Sequence, residues 1–353
     1  MKFGEIILGW YKKNRRDLPW RRTQDPYHIW LSEVILQQTR VSQGLDFYNR
    51  FIDAFPDVAS LAGADEDEVL KLWQGLGYYS RARNLHRAAR DVLKNRAGIF
   101  PDTYQGLLEL KGIGVYTASA IASICFGEPR AVVDGNVSRV IARLYGVEEA
   151  INAAAGSRIV VSLAGKMLER GLADGGDPGT HNQAMMEFGA LQCIPVSPRC
   201  ETCPLSKGCD AHLTGRVGTL PVKIPKRKPV DRWICFYIIL CNGETIITRR
   251  GNNDIWRSLY QFPATESEGP PTDEEIIKGL PGTKWPEQTS VKKISPVIRH
   301  QLTHRTIHAR FIHAEAGSWP LPLPEKWIPV PLDQLDSYPV PRLIHRYMEA
   351  VKI

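Results

Sequence analysis

The sequence predicts a mainly α N-terminal part followed by a smaller C-terminal α+β domain, and three observations carry that prediction. Apolar residues recur with helical spacing from Met1 to about Gly215. Leu220 to Arg232 (LPVKIPKRKPVDR) then has three prolines, many positive charges and no period, so it reads as an extended linker. Beyond it, strand-like apolar runs surround an Asn-Gly pair. The length of 353 residues agrees with more than one domain, since single cores rarely outgrow roughly 250 to 300 residues.

Within the α part, Tyr27, Trp30, Leu31, Val34 and Ile35 mark one helix, with Asp25-Pro26 supplying its N-cap and first-turn proline. Leu110-Lys111-Gly112-Ile113-Gly114 joins two helical segments, Thr103 to Leu110 and Val115 to Phe126. Gly112 and Gly114 permit a tight turn, and the amides opening the second helix suit a phosphate. Val137, Val140, Ile141 and Leu144 mark a further helix, for which Asp134 is the natural N-cap. Four cysteines, Cys193, Cys200, Cys203 and Cys209, close this part in the order C-x6-C-x2-C-x5-C. Such convergence usually holds a metal; the spacing matches neither the common zinc fingers nor the ferredoxin runs, and a structural zinc stays open as the alternative to a cluster. Cys125, Cys235 and Cys241 lie in apolar segments and read as core residues.

In the C-terminal part, Trp233 to Cys241 and Glu244 to Arg249 read as a hairpin about Asn242-Gly243. A helix is expected near Thr272 to Gly279 and more strands around Lys292 to Glu315. His300, His304, His308 and His313 crowd the latter region, but the alternation of Ile298, His300, Leu302 and His304 indicates a strand rather than a metal-binding helix. The expected boundaries are therefore 1–215, a linker at 216–232, and 233–353. The KRK cluster at 226–228 reads as linker charge ahead of a nuclear-localisation signal.

The formal net charge of +7 suits a polyanionic partner. No apolar run approaches a membrane span and no signal peptide opens the chain, so a reducing, cytoplasmic compartment is expected. Two carboxylates stand out. Glu33 has Ile29, Trp30, Leu36 and Gln37 as helical neighbours, an apolar setting that raises a carboxyl pKa into the range of a general acid. Asp134, held by helix N-terminal amides, is expected to stay ionised. Trp73 to Arg83 combines glycines, aromatics and cations, a mixture that suits contact with a polyanion; a buried aromatic pair is the competing reading for Tyr79.

The cysteine array is similar to the iron–sulfur loop of the endonuclease III and adenine DNA glycosylase superfamily. The glycine turn resembles its helix-hairpin-helix, SEVILQQTRV resembles the adenine glycosylase motif of the MutY type, and Ile255 to Pro263 is similar to a Nudix segment. The resemblance spans nearly the whole chain. It implies a helix-hairpin-helix glycosylase fold of two helical lobes with an iron–sulfur loop, plus a C-terminal Nudix-like domain. A [4Fe–4S] cluster would sit on Cys193, Cys200, Cys203 and Cys209, ordering a loop that carries Arg199 and Lys207 to phosphate. Glu33 falls on the catalytic acid and Asp134 on the carboxylate that stabilises the oxocarbenium ion or bonds to the sugar, with Tyr116 and Asn136 positioning groups around them. Trp20 and Arg21 would line the adenine pocket. Leu36, Gln38 and Tyr78 would contact DNA, the latter two by intercalation, and Gly112 and Gly114 would meet backbone phosphate. Leu302, Thr303 and His304 would read the damaged base. The implied partner is double-stranded DNA carrying adenine opposite 8-oxoguanine, bound by a monomer.

Tyr116 stands where bifunctional relatives have a Schiff-base lysine, so base removal without strand cleavage is expected. Lys111 replaces the family's usual proline, and Leu302-Thr303 replaces Phe-Ser. The carboxylate-rich Nudix helix is absent, which argues against pyrophosphate hydrolysis. The rivals are an endonuclease III-like glycosylase/lyase and a cluster-bearing DNA-binding protein without catalysis.

Overall fold

Helix caps set the first unit in place. The computed structural model describes residues 3–225, 228–251, 254–280, 289–320 and 322–353. Residues 226 and 227 of the KRK cluster lie outside them. Residues 1–63 and 84–225 form one unit; residues 64–83 and 226–353 form the other.

In the first unit the Asp25 side chain accepts the Tyr27 N–H at 2.8 Å and starts the helix Pro26–Leu36. That helix is buried on nearly all sides, Tyr27 and Ile29 to Ile35 included, because it runs between Val41–Ala54 and Val115–Phe126. Thr103 caps Tyr104–Leu108, and the turn that follows has Gly112 at φ +86°. A Cβ there would also stand 2.6 Å from the Asn84 Cβ, so conformation and packing both require glycine. Asp134 caps Gly135–Leu144 and Asp177 caps Pro178–Leu191. Ile7, Tyr11, Val140, Ile141, Met167, Met185 and Phe188 pack the core these helices share with Phe3–Asn14 and Ala154–Ala173.

The linker is not free chain at its start. Leu220 and Val222 carbonyls accept from Arg143 Nε and the Ile151 N–H, at 2.9 and 3.0 Å. Asn152 takes both the N–H and the carbonyl of Ile224, each at 2.8 Å.

The second unit contains β1 (Val230–Leu240), β2 (Glu244–Arg249), β3 (Tyr260–Gln261), β4 (Ala264–Ser267), β5 (Ser290–Ile294), β6 (Ile298–Gln301), β7 (Arg305–Glu315) and β8 (Trp327–Pro331). Among the described residues one sheet runs β4-β1-β7-β5 with β6 also on β7, and the other runs β3-β2-β8. β1 and β7 are parallel from Val230↔Arg305 to Leu240↔Glu315.

The expected hairpin is corrected here. Asn242 and Gly243 do turn with positive φ, at 50° and 81°, but Cys241↔Glu244 is the one bridge across them before β1 and β2 enter different sheets. The edge a returning strand would use is taken: β4 pairs with Trp233 to Phe236, and the Tyr237 N–H goes to the Pro263 carbonyl at 2.8 Å. The strand expected through His304 stops at Gln301, and Leu302 to His304 form the turn into β7, closed by Leu302 N–H to Arg305 O at 2.8 Å. The helix expected near Thr272 is Asp273–Lys278, started by a reciprocal Thr272/Glu275 box.

Residues 64–83 are fastened within this unit. Asp67 accepts from Arg249 at 2.8 Å and from the Tyr260 hydroxyl at 2.9 Å. Val340 bonds to Gln74 through its N–H and to the Tyr79 hydroxyl through its carbonyl, while Arg342 donates to the Gly75 carbonyl at 3.1 Å. Tyr79 is thus the buried member of its aromatic pair. Among the described residues no helix is long and apolar enough to cross a membrane.

Candidate active site

A cavity of about 850 Å³ opens in the first unit where the end of Pro26–Leu36, the start of Gly135–Leu144 and the end of Pro178–Leu191 face one another. Its walls include Trp20, Arg21, Glu33, Leu36, Gln38, Tyr116, Asp134 and Asn136, eight of the residues singled out in the sequence.

Glu33 is 8% exposed, and burial pushes its carboxyl up to about 7. A hydrogen bond with Tyr116 opposes that rise, and the neighbouring Asp134 charge adds to it. The Tyr116 hydroxyl also lies 3.4 Å from the Met186 sulfur. Asp134 uses Oδ1 to cap its helix, accepting from Asn136 N–H at 2.9 Å and Val137 N–H at 2.7 Å, while Oδ2 accepts from Asn136 Nδ2 at 2.8 Å. Burial nonetheless outweighs these donors and raises its pKa above the ordinary aspartate value. The capping amides therefore moderate the pKa of Asp134 but do not depress it below normal, contrary to the simple N-cap argument. Two carboxyl groups in one niche, both lifted by burial, favour one proton being held at Glu33 near neutral pH.

Trp20 is buried and meets Tyr48 edge-on at 5.0 Å. Leu36 fills the space above Gly44, where a Cβ would come within 2.7 Å of it. Gln38 is exposed just past the helix end in the left-handed region, at φ +58°. A non-glycine residue is uncommon in that region.

Several cavity residues escaped the sequence reading. Glu187 is 1% exposed and accepts from Arg21 twice at 2.8 Å and from Arg16 Nε at 2.9 Å. Burial raises its pKa, but the two guanidinium groups prevail and bring it to about 2. Arg139 donates to Asn136 Oδ1 at 2.9 Å and to the Gly189 and Cys193 carbonyls at 2.6 and 2.7 Å. The available signal was a charged residue amid Met185, Met186 and Phe188, which demands a partner without saying which.

Cys193, Cys200, Cys203 and Cys209 are free thiols lining one small cavity of about 30 Å³ beside Arg143. Burial raises the Cys200, Cys203 and Cys209 thiols, Cys203 to about 11. Buried Arg143 fixes the loop by donating to Ile194 O at 2.7 Å, Pro195 O at 2.9 Å and Cys193 Sγ at 3.5 Å. Among the described residues no three His, Cys, Asp or Glu side chains draw together as one metal ion requires, the histidines at 300–313 included.

The remaining sequence candidates are not among the residues lining this cavity. Gly112 and Gly114 form the exposed turn before Val115–Phe126. In the second unit Tyr78 is 47% exposed at φ +49°, and its hydroxyl hydrogen-bonds Thr303 Oγ1 in the turn Leu302 to His304. Arg81 lies over the Tyr78 and Trp73 rings.

Residues 31–160 match the family model of the HhH-GPD superfamily of base excision DNA repair proteins, and residues 234–350 match that of the NUDIX domain. An adenine DNA glycosylase of Buchnera aphidicola subsp. Acyrthosiphon pisum is 33% identical over 307 residues, covering 87% of this chain and 84% of that protein. The chain belongs to the adenine DNA glycosylase family. The human adenine DNA glycosylase is 42% identical over 219 residues, 60% of this chain and 39% of that one. A thermostable thymine-DNA glycosylase structure superposes with a TM-score of 0.54 at 31% identity, covering 60% of this chain and 95% of the other. An endonuclease III–DNA complex, at 20% identity and a TM-score of 0.51, shares the fold. The protein is a DNA glycosylase of base excision repair with a C-terminal Nudix-like domain.

Proposed function

We propose that the enzyme excises adenine mispaired with 8-oxoguanine, and with guanine, as a monofunctional glycosylase. It acts as a monomer on double-stranded DNA in the cytoplasm or nucleoid. The observation that carries the reading is the meeting of Glu33 and Asp134 in one cavity whose wall also includes Tyr116.

An extruded adenine enters between Trp20 and Glu33, and Glu33 gives its proton to N7 of the base. The C1′–N9 bond breaks and its electron pair leaves with the protonated adenine. Positive charge gathers on the sugar, where Asp134 stabilises it from a position fixed by Asn136 and the helix amides. A water oxygen then bonds C1′ and returns its proton to the carboxyl pair. Tyr116 cannot form an imine, so no lyase step follows from that position.

The four cysteines line one cavity, a four-thiolate donor set that suits the [4Fe–4S] cluster the family resemblance implies. When bound, the cluster supplies a covalent tie across the loop rather than electrons, since hydrolysis needs none. Tyr78 and Gln38, both held in left-handed backbone, serve as wedges, Gly112 and Gly114 present amides to phosphate, and Leu302, Thr303 and His304 read the lesion.

Single-turnover reactions on duplexes with adenine opposite 8-oxoguanine, guanine and thymine test this. Fast release from the first, slower from the second, and strand breaks only after hot alkali are expected. Equal release from thymine pairs removes the lesion-reading role, and release of thymine rather than adenine removes the substrate assignment.

A further inference from the structure

Segment 220–224, read in the sequence as the start of a linker, has an unexpected position. Three successive anchors hold it on the first unit: Arg143 at Leu220, Ile151 at Val222, and Asn152 at both polar groups of Ile224. The residue between the last two anchors is Lys223, which is exposed and lines the catalytic cavity.

The charges around the cavity divide into two kinds. Arg16 and Arg21 are committed to Glu187, and Arg139 to Asn136 and two carbonyls. Arg40 and Lys223 also line the cavity, and among the described residues neither forms an ion pair or a side-chain hydrogen bond. Both are exposed. A nucleotide turned into this cavity carries a phosphodiester on each side that cannot follow the base inward, and uncommitted cations on the wall are what such groups seek.

We propose that Lys223 and Arg40 are a phosphate-binding pair on the wall of the catalytic cavity, holding the backbone next to the extruded nucleotide. The inference rests on the functional reading above. The anchored segment then belongs to the substrate site, and its three fastenings fix the backbone from which the Lys223 side chain reaches the cavity before DNA arrives. A lysine on a free tether would lose that order and bind as a diffuse charge.

The test is the salt dependence of duplex binding, using a 30-base-pair duplex with an uncleavable adenine analogue opposite 8-oxoguanine. The logarithm of affinity falls with the logarithm of salt by about 0.9 per phosphate contacted. Lys223→Ala and Arg40→Ala should each flatten that slope by about 0.9, and the double variant by about twice as much. Lys223→Arg should keep the wild-type slope. An unchanged slope in Lys223→Ala overturns the proposal. So does an equal flattening on a duplex with no extrudable mispair, which would make Lys223 a general DNA contact. If wild-type protein neither prefers the mispair nor releases adenine, the functional reading itself has failed, and the wild-type measurement shows this before any variant is compared.

Discussion

The cavity holding Glu33 and Asp134 and the face of the second unit proposed to read DNA pose opposite problems. In the cavity Glu33 and Glu187 are buried and Asp134 is half-buried, and burial plus named partners set their protonation. On that face Tyr78 and the turn Leu302 to His304 stay accessible, and a left-handed backbone at Tyr78 and a hydroxyl-to-hydroxyl bond to Thr303 set their geometry. Chemistry needs a low-dielectric niche with fixed dipoles, while reading DNA needs exposed groups whose shape is decided beforehand. The two regions should therefore respond differently to substitution.

The largest difference is expected at Glu33. Glu33→Gln should lower adenine release by about 10²–10⁴-fold, the usual worth of a general acid, while duplex affinity holds. In the wild type the release rate should fall as pH rises through about 7, since the protonated acid is the active form. Stability follows the same sign. The folded pKa is raised, so this group's contribution is complete below the unfolded value of 4.5 and is lost as pH climbs through about 7. Thermal melts should accordingly find Glu33→Gln more stable than wild type at pH 8 and no more stable at pH 4. Identical pH profiles for release in both proteins would move the acid elsewhere.

Glu187 should behave as structure first and chemistry second. Glu187→Gln leaves Arg21 and Arg16 without their carboxylate, and breaking a buried pair typically costs about 3–5 kcal/mol. Its folded pKa is depressed to about 2, so the stabilisation is present above pH 4.5 and fades as pH falls through about 2. Urea unfolding at pH 7 against pH 2 measures this; a cost that persists undiminished at pH 2 would mean packing, not charge, is involved.

The smallest effect belongs to the recognition face. Removing the Tyr78–Thr303 bond by Thr303→Val or Tyr78→Phe should reduce the preference for 8-oxoguanine over guanine by about 1 kcal/mol, and the double variant should lose little more. The excision rate at saturating enzyme should hold. A double variant whose losses simply add would show that the two hydroxyls work separately.

The same contrast decides what was legible beforehand. Asp134 could be found because a cap is local, and Glu33 because helical spacing names its neighbours. Glu187 was missed since its partners lie 166 and 171 residues away. Tyr78 and Thr303 were each noticed, but a bond spanning 225 positions leaves no mark in either segment. The hairpin at Asn242-Gly243 failed for a related reason: turn chemistry is local, whereas the occupant of a strand's edge is not. The two anchors at Asn152 were equally invisible, so Lys223 read as tether.

Residues 64–83 have a practical consequence for anyone recombining this enzyme with a relative. A crossover placed in the proline-rich segment looks like a clean joint, but it would exchange Arg249, Tyr260, Thr303, Val340 and Arg342 while keeping the old Asp67, Gln74, Tyr78 and Tyr79 that fit them. A graft that respects the physical seams carries two pieces of gene: the C-terminal third and a twenty-codon cassette from near the beginning.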